Sequence, residues 1–354
     1  MKIDPSLALA FHRACPTLLK PGILKRIHDS YGKHEFYAQL HALGVLTDDD
    51  IEKDDHDCVL FKMREHVKQA TRINASVTIP GKNIALLAKK IGLNALEIDI
   101  LLLLVLVKQV SIMRMTDYYF GALNKKQFGH AVATLLGADN KAVEAALSAS
   151  GRLLKTSIVF IHEERVELAE KFDFVRDFDV FISDELKTTA QMMEHFINSV
   201  DTAALTINDF AHIANELDYL LPYLKKALAK GVKGCNVLLY GAPGTGKTEL
   251  AKTLAHSLGV TLYEVKTAGS DHEPISAIAR LESYNAGCHL LEPNGQHMLL
   301  FDEMEDVMPQ PDSGDKKVPR SKVWFNRLLE QNPIPTIWTS NQVYCIDNAY
   351  LRRF

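Results

Sequence analysis

The sequence predicts a mainly α-helical N-terminal domain followed by an α/β domain whose strands form a parallel sheet. Helical periodicity dominates up to about residue 195, short apolar strands alternate with helices after residue 231, and a glycine-rich turn follows the first of those strands. Such alternation implies a parallel sheet covered by helices on both faces. We place the domain boundary at residue 200, which gives an N-terminal domain over 1–200 and a second domain over 201–354.

The composition is that of an ordinary globular protein. With 354 residues, 47% of them hydrophobic and 24% charged, the chain is long enough for two or three domains with their own cores. The longest apolar run, 100–107, is shorter than the roughly 18 residues that a membrane-spanning helix needs. The N-terminus lacks the apolar core of a secretory signal, and five scattered cysteines without a CxxC pair favour reduced thiols. We therefore expect a cytoplasmic protein without a membrane span.

The clearest helix of the N-terminal domain begins near Asn94. Asn94 and Glu97 have the spacing of a capping box, and apolar residues at helical spacing follow up to Val105. We expect a buried core helix here.

Residues 128–162 predict a winged-helix-like order: a helix, a turn at Gly137, a second helix and a strand pair. A DNA-linked function is one interpretation of this order. The second helix, however, offers one lysine and one glutamate, and the formal net charge is -4, with no excess of Lys and Arg in either half of the chain. We therefore favour a structural or protein-docking role for this region over nucleic-acid binding.

Histidines and acidic residues near residue 55 suggest a zinc site, which the spacing does not support. The segment DDHDC at 54–58 has His34, His41 and His66 nearby, but structural zinc sites show tight, paired ligand spacing that is missing here. An acidic solvated loop is the better interpretation.

The glycine-rich turn carries the strongest motif. The stretch GAPGTGKT satisfies the pattern GxxxxGK[ST] between a predicted strand and a predicted helix. Main-chain amides of the glycines face the phosphates, Lys247 reaches the β- and γ-phosphates, and the Thr248 hydroxyl coordinates Mg²⁺. The sequence therefore predicts a nucleotide site in a P-loop NTPase domain, formed by Gly241, Ala242, Pro243, Gly244, Thr245, Gly246, Lys247, Thr248 and Glu249.

Further candidate residues follow later strands and helices. Asp302 and Glu303 end an apolar strand, where Asp302 can hold Mg²⁺ through water and Glu303 can polarise the attacking water. Asn341 ends the next strand, and its amide could orient that water or touch the γ-phosphate. Arg352 and Arg353 cannot easily reach their own nucleotide, so we expect them to stabilise transition-state charge in a neighbouring subunit.

Taken in order, these motifs resemble the AAA+ ATPases, specifically the AAA branch with its second region of homology, over about residues 205–354. By position, Lys247 and Thr248 match Walker A, Asp302 and Glu303 match Walker B, Asn341 matches sensor 1, and Arg352 and Arg353 match the arginine-finger region. The resemblance implies ATP and Mg²⁺ as cofactors and ATP hydrolysis coupled to remodelling of a protein or complex. It also implies a homo-oligomeric ring, usually a hexamer.

The chain departs from the family pattern at three places. The family module continues into a helical lid carrying sensor 2, whereas this sequence stops at Phe354, so we expect a truncated module without the lid. The stretch TAGSDHEPIS after the second strand lacks the aromatic-hydrophobic-glycine triplet of threading members, and the two arginines adjoin. An alternative function is therefore an ATP-dependent assembly switch or scaffold with slow hydrolysis and no threading; the protein client is unknown.

Overall fold

The computed structural model describes residues 79–109, 120–293, 295–308 and 322–354, together with short pieces between residues 37 and 65. Contacts divide the chain into two compact units. One unit runs to Phe174 and includes Phe181–Leu186, and the other comprises Val175–Val180 and Lys187–Phe354. The predicted division into domains at residue 200 stays a prediction.

The first unit is mainly helical. Its elements in the described residues are α1 (Asp48–Lys53), α2 (Ile79–Ile91), α3 (Ala95–Gln109), α4 (Lys125–Leu136), α5 (Asn140–Ala146), α6 (Arg152–Lys155), β1 (Val159–Ile161) and β2 (Phe172–Phe174). Helix α3 is the predicted core helix, and its apolar run 100–107 is buried throughout. The predicted capping box is confirmed, since the side chains of Asn94 and Glu97 each accept a hydrogen bond of 2.9 Å from the main-chain N–H of the other.

The region predicted to be winged-helix-like differs from the expectation in its strands. The sequence predicted a strand pair in the stretch SGRLLKTSIVFIHE (150–163), but 152–155 forms α6, and β1 pairs in antiparallel fashion with β2 instead. Phe172 of β2 is fully buried. The stretch between β1 and β2 is rich in charged residues and offers no apolar side chain of that size to bury, so the strand that pairs with β1 forms after it. The fully buried Lys171 holds that stretch by donating hydrogen bonds to the main-chain oxygens of Glu163 and Arg165.

The second unit contains the predicted α/β domain. Its elements in the described residues are α8 (Thr189–Glu194), β3 (Ile197–Ser199), α9 (Ala214–Lys230), β4 (Asn236–Tyr240), α10 (Lys247–Leu258), β5 (Thr261–Val265), α11 (Ala277–Leu290), β6 (His297–Phe301), α12 (Lys322–Gln331), β7 (Thr336–Ser340) and α13 (Asn348–Leu351). Short 3₁₀ helices lie at Ile207–Ile213, Met304–Val307 and Val343–Cys345. A further helix, α7 (Phe178–Ser183), contributes residues to both units.

Among the described residues, the strands of this unit form one sheet in the order β3-β5-β6-β7-β4. Strands β4 to β7 are parallel to one another, as predicted, and β3 adds an antiparallel edge next to β5 that the sequence analysis did not predict. Strand β7 is buried at every position, as expected of a strand inside a parallel sheet, where exposed and buried residues do not alternate.

Strand register brings the chemistry of the site to one edge of the sheet. Phe301 of β6 is paired with Trp338 of β7, and Tyr240 of β4 is paired with Ser340 of β7. The residues that follow these strands therefore meet at the carboxyl edge of the parallel sheet, where ligands bind in open α/β folds.

An aromatic cluster stabilises the sheet beneath that edge. Trp338 stacks on Phe301 with ring centroids 4.6 Å apart, and its indole N–H donates a hydrogen bond of 3.1 Å to Asn236. Phe325 of α12 is 5% exposed and makes an edge contact with Trp338, so it belongs to the core, whereas Trp324 is half-buried.

Some predictions fall on other parts of the chain. The exposed loop predicted at 308–322 lies almost entirely outside the described residues, as do His34, His66 and part of the DDHDC segment. Within the described ranges, no helix has the length and apolar character needed to cross a membrane. In those same ranges, no group of three or more His, Cys, Asp or Glu side chains is placed to hold a metal ion.

Candidate active site

The glycine-rich loop connects the end of β4 to the beginning of α10. Gly244 and Gly246 have φ angles of 77° and 83°, in the left-handed region where a side chain would be strained. Gly246 occupies the N-cap of α10 and has no side chain to satisfy the first N–H groups of the helix. Those N–H groups, with the positive end of the helix dipole, suit a phosphate.

Lys247 links this loop to the end of β7. Its ammonium group donates hydrogen bonds of 3.0 Å to the main-chain oxygens of Gly241 and Ala242, and one of 2.8 Å to the side-chain oxygen of Asn341. Two residues predicted from separate motifs, Lys247 and Asn341, are thus in direct contact.

Asp302 is held between α10 and β7. The Thr248 hydroxyl donates a hydrogen bond of 3.1 Å to one carboxylate oxygen of Asp302, and the Thr339 hydroxyl donates to the other. The Thr339 hydroxyl also accepts a hydrogen bond of 3.0 Å from the main-chain N–H of Glu303. Thr339, which is 1% exposed, therefore fixes both acidic residues. Sequence reasoning missed it, although it lies on β7 only two positions before Asn341.

Glu303 has an unusual backbone conformation. Its φ angle is 51°, and its side chain is exposed at the edge of the sheet. A residue other than glycine in this region costs about 1–3 kcal/mol and persists only when its surroundings hold it. The turn therefore presents the Glu303 carboxylate outward while its main chain is fixed by neighbouring elements.

Asn341 is positioned by an acid that the sequence analysis did not single out. Its main-chain N–H donates a hydrogen bond of 3.0 Å to Glu305 Oε1. The other carboxylate oxygen of Glu305 is buried, with no hydrogen-bond partner among the described residues. Glu305 therefore connects the turn after β6 to the end of β7.

Arg280 of α11 lies under the turn that carries the acidic pair. It is 3% exposed, and its terminal nitrogens donate to the main-chain oxygens of Asp302 and Glu303, the latter at 3.5 Å, and to the carboxylate of Asp306 at 2.9 Å. Burial lowers the pKa of the Arg280 guanidinium, and the surrounding carboxylates act in the opposite direction. The sequence analysis did not single out this arginine, because it reads as one charge in an amphipathic helix.

A second half-buried acid lies near Asp302. Burial raises the pKa of Glu264 on β5, and the negative charge of Asp302 raises it further, against the lowering effect of Lys252 and Arg280. Glu264 is thus a carboxyl group whose protonated form is favoured by its position in the fold.

Glu249, predicted as part of the nucleotide-binding set, contacts another segment of the chain. Its carboxylate accepts hydrogen bonds of 2.6 Å from the main-chain N–H of Ala204 and 3.3 Å from that of Leu205. It therefore ties the segment that precedes the Ile207–Ile213 helix to the first turn of α10.

Residues 237–354, which contain these elements, match the family model described as "ATPase family associated with various cellular activities (AAA)". This part of the chain is an AAA ATPase domain. The predicted membership of the AAA+ ATPases is confirmed, as is the expected class of fold, a helix-rich region followed by a P-loop domain with a mostly parallel sheet.

Several curated proteins are similar to parts of this chain. A 26S proteasome regulatory subunit homolog of Methanothermobacter marburgensis is 29% identical over 208 residues, which are 56% of this chain and 48% of that protein. The corresponding homolog of Methanothermobacter thermautotrophicus is 39% identical over 127 residues, covering 34% of this chain and 33% of that protein. A spastin homolog of Caenorhabditis briggsae is 30% identical over 146 residues, 39% of this chain and 26% of that protein. The chain thus spans less than half the length of each of these relatives.

The two arginines near the end of the AAA domain have different surroundings. Arg353 donates hydrogen bonds to Glu330, with an Nε to Oε1 distance of 2.7 Å, and to the main-chain oxygen of Ala349. Arg352 is exposed, and its side chain makes no ion pair or hydrogen bond within the described residues. Of the pair, Arg352 has the guanidinium that is available to another molecule.

In the second unit, Asp177 holds the loop between β5 and α11. Its carboxylate, 4% exposed, accepts hydrogen bonds of 3.0 and 3.1 Å from the main-chain N–H and hydroxyl of Ser270 and forms an ion pair of 3.3 Å with Lys266. Arg176, the neighbour of Asp177, forms an ion pair with Asp271. This loop, which lacks the aromatic triplet, is therefore tied down by buried and partly exposed charges.

The donor atoms at the site fit a magnesium ion. Mg²⁺ prefers oxygen ligands and is usually held by one or two carboxylates together with substrate phosphates. The Thr248 hydroxyl and the Asp302 carboxylate, 3.1 Å apart, supply such oxygens beside the phosphate-binding loop. Their role as Mg²⁺ ligands stays a prediction.

Proposed function

We propose that the chain binds ATP at the loop 241–246 and hydrolyses it to ADP and phosphate, and that this cycle drives remodelling of a protein or complex. The contact of Lys247 with Asn341, together with the hydrogen bonds that join Thr248, Asp302, Thr339 and Glu303, carries the proposal. These contacts support the proposal because they bring Lys247, the proposed phosphate-binding group, and Glu303, the proposed hydrolytic acid, to one edge of the sheet.

Each side chain has a role in this proposal. The amides at the start of α10 and the Lys247 ammonium bind the phosphates, and Thr248 and Asp302 would hold Mg²⁺, which neutralises phosphate charge when bound. Glu303 accepts the proton of the water whose oxygen attacks the γ-phosphorus, and the bond to the β-phosphate oxygen breaks to release ADP. Asn341 orients that water or contacts the γ-phosphate.

Assembly is part of the proposal. An exposed arginine that has no partner within the described residues can stabilise the charge of a transition state in a neighbouring subunit, and Arg352 fits this role better than Arg353. We therefore infer that copies of the chain form a ring, a hexamer by family resemblance, in which Arg352 completes the next site. The client is unknown, and the cytoplasmic location stays a prediction.

A second candidate is an ATP-dependent assembly switch or scaffold with slow hydrolysis. The observation that favours it is the loop between β5 and α11, which has no aromatic triplet and is bound to Asp177. A loop held in this way is poorly suited to gripping and moving a peptide.

The two candidates differ in turnover. The ATPase rate per chain is measured over a range of protein concentrations for the wild type and for Glu303→Gln, with ATP affinity measured alongside and Lys247→Ala as the control for lost binding. A rate that rises with concentration and falls about 10²–10⁴-fold in Glu303→Gln supports the hydrolysing assembly. Tight ATP binding with negligible turnover supports the switch, and failure of the wild type to bind ATP contradicts both.

A further inference from the structure

Arg280 is a buried charge whose place in the fold needs an explanation. It lies in the first turn of α11 and is 3% exposed. Arginines are almost never fully buried unless they are paired, because removing the charge from water is costly. Its partners therefore indicate what the buried guanidinium does.

The contacts of Arg280 converge on one short stretch, residues 301–306. The guanidinium lies 4.7 Å from the centroid of the Phe301 ring, and its terminal nitrogens reach the main-chain oxygens of Asp302 and Glu303 and the carboxylate of Asp306. Its Nε is buried with no hydrogen-bond partner among the described residues. The side-chain hydrogen bonds of Arg280 are thus made by its two terminal nitrogens, and all of them go to the turn that carries Glu303.

That turn must be held from both sides. Glu303 has a φ angle of 51°, and its main-chain N–H is fixed from β7 by Thr339, while its main-chain oxygen faces Arg280 from α11. A left-handed residue at an active site is retained when the surrounding structure over-determines it. Thr339 and Arg280 do so here, together with the main-chain N–H of Asp306, which donates a hydrogen bond of 3.2 Å to the same Glu303 oxygen.

We propose that Arg280 is a positioning residue for Glu303, which sets the direction of the catalytic carboxylate by holding the main-chain oxygens of Asp302 and Glu303 and the carboxylate of Asp306. The proposal rests on the hydrolytic function proposed above. It predicts that a lysine at position 280 keeps the positive charge but cannot bridge a main-chain oxygen and Asp306 at the same time, because an ammonium lacks the planar fork.

The test compares Arg280→Lys with the wild type in the full chain, with Arg165→Lys as the matched control at an exposed ion pair in the first unit. kcat, KM and the ATP dissociation constant are measured together with thermal unfolding. We expect kcat to fall about 10- to 100-fold in Arg280→Lys, the effect of a displaced catalytic group, while KM and ATP affinity change by less than about threefold. Amide exchange of residues 302–306 should accelerate in the same variant.

Two results would overturn the positioning role. One is an unchanged kcat in Arg280→Lys when Glu303→Gln is slow. The other is a loss of ATP affinity and unfolding temperature that parallels the loss of kcat, since a purely structural role would produce it. A wild type no faster than Glu303→Gln would instead refute the hydrolytic function, and the role of Arg280 in it as well.

Discussion

The ammonium group of Lys247 lies 2.8 Å from the side-chain oxygen of Asn341, so a residue of the phosphate-binding loop is joined directly to the end of β7. The amide of Asn341 is neutral and accepts a hydrogen bond without cancelling the lysine charge. The positive charge of Lys247 therefore stays available for a phosphate. A charged residue at position 341 would change this.

Asn341→Asp and Asn341→Ala should separate affinity from turnover. In Asn341→Asp the new carboxylate pairs with Lys247 and competes with the phosphates, so ATP affinity should fall about tenfold or more, as a charge-assisted hydrogen bond of 1.5–3 kcal/mol implies. In Asn341→Ala affinity should be kept while turnover falls. Titration calorimetry and steady-state rates distinguish the two, and equal affinity in both variants would contradict this role of Lys247.

Arg352→Ala and Arg353→Ala should fail in different ways. Arg353 is bound to Glu330 and to the main-chain oxygen of Ala349, so Arg353→Ala should lower the unfolding temperature. Arg352→Ala should leave the unfolding temperature unchanged and lower turnover about 10³-fold or more, the effect of losing an arginine finger. Thermal unfolding and ATPase rates of the two variants check this.

Mixing experiments test whether Arg352 acts in trans. Subunits with Arg352→Ala keep an intact site, and subunits with Glu303→Gln keep an intact arginine. A mixture of the two should hydrolyse ATP faster than either alone. Absence of this complementation, with both variants folded and binding ATP, would place Arg352 outside the neighbouring site.

Thr339→Val should damage the site without enlarging it. The hydroxyl bridges the Asp302 carboxylate and the Glu303 N–H, and valine of the same shape would leave that N–H without its partner, at a cost of about 1–3 kcal/mol. We expect turnover to fall. We also expect the free energy of unfolding to decrease by about the same 1–3 kcal/mol. Thr339→Ser, which keeps the hydroxyl, should restore most of both; a serine variant as impaired as the valine variant would argue against the bridge.

Glu264 should make stability depend on pH in a defined direction. Burial, reinforced by Asp302, raises its folded pKa above the ordinary 4.5. The group therefore contributes stability that is fully present below the ordinary pKa and is lost as pH rises through the raised folded value. Glu264→Gln should gain stability relative to the wild type over that pH range.

Urea unfolding at a series of pH values, without nucleotide or Mg²⁺, measures this difference. The variant Glu216→Gln makes the same chemical change at an exposed position of α9 and gives the baseline. Curves for Glu264→Gln and the wild type that stay parallel from pH 4.5 to neutrality would show that the position of Glu264 does not penalise its charge.

The fold of the AAA domain could be predicted closely because its signals are local. Strands β4 to β7 are short apolar runs between turns, and the loop before α10 is a complete motif. Strand β3 was not predicted, because a three-residue strand with one buried side chain is too short to show an alternating hydrophobic pattern. Its pairing is decided by β5, which is distant in the sequence. The second strand of the first unit was misplaced for the same reason.

The site could be predicted only where a motif names the residue. Lys247, Thr248, Asp302 and Asn341 belong to such motifs, and the structure joins Lys247 to Asn341 and Thr248 to Asp302 by hydrogen bonds. Thr339 and Arg280 do not, because a threonine inside a strand reads as β-propensity and an arginine in a helix reads as a solvated charge. Their roles depend on strand register and helix packing, which bring together positions far apart in the chain.

Strand β3 also determines where a fragment that contains only the AAA domain can begin. It covers the outer edge of β5, and its Ile197 fits against Gly287, where an added Cβ atom would lie 2.6 Å from the isoleucine. A fragment that begins at residue 201 would leave the N–H and C=O groups of β5 open to pairing with another chain, which is a route to aggregation. A fragment that begins at residue 175 keeps this edge closed and retains the ion pair of Arg176 with Asp271.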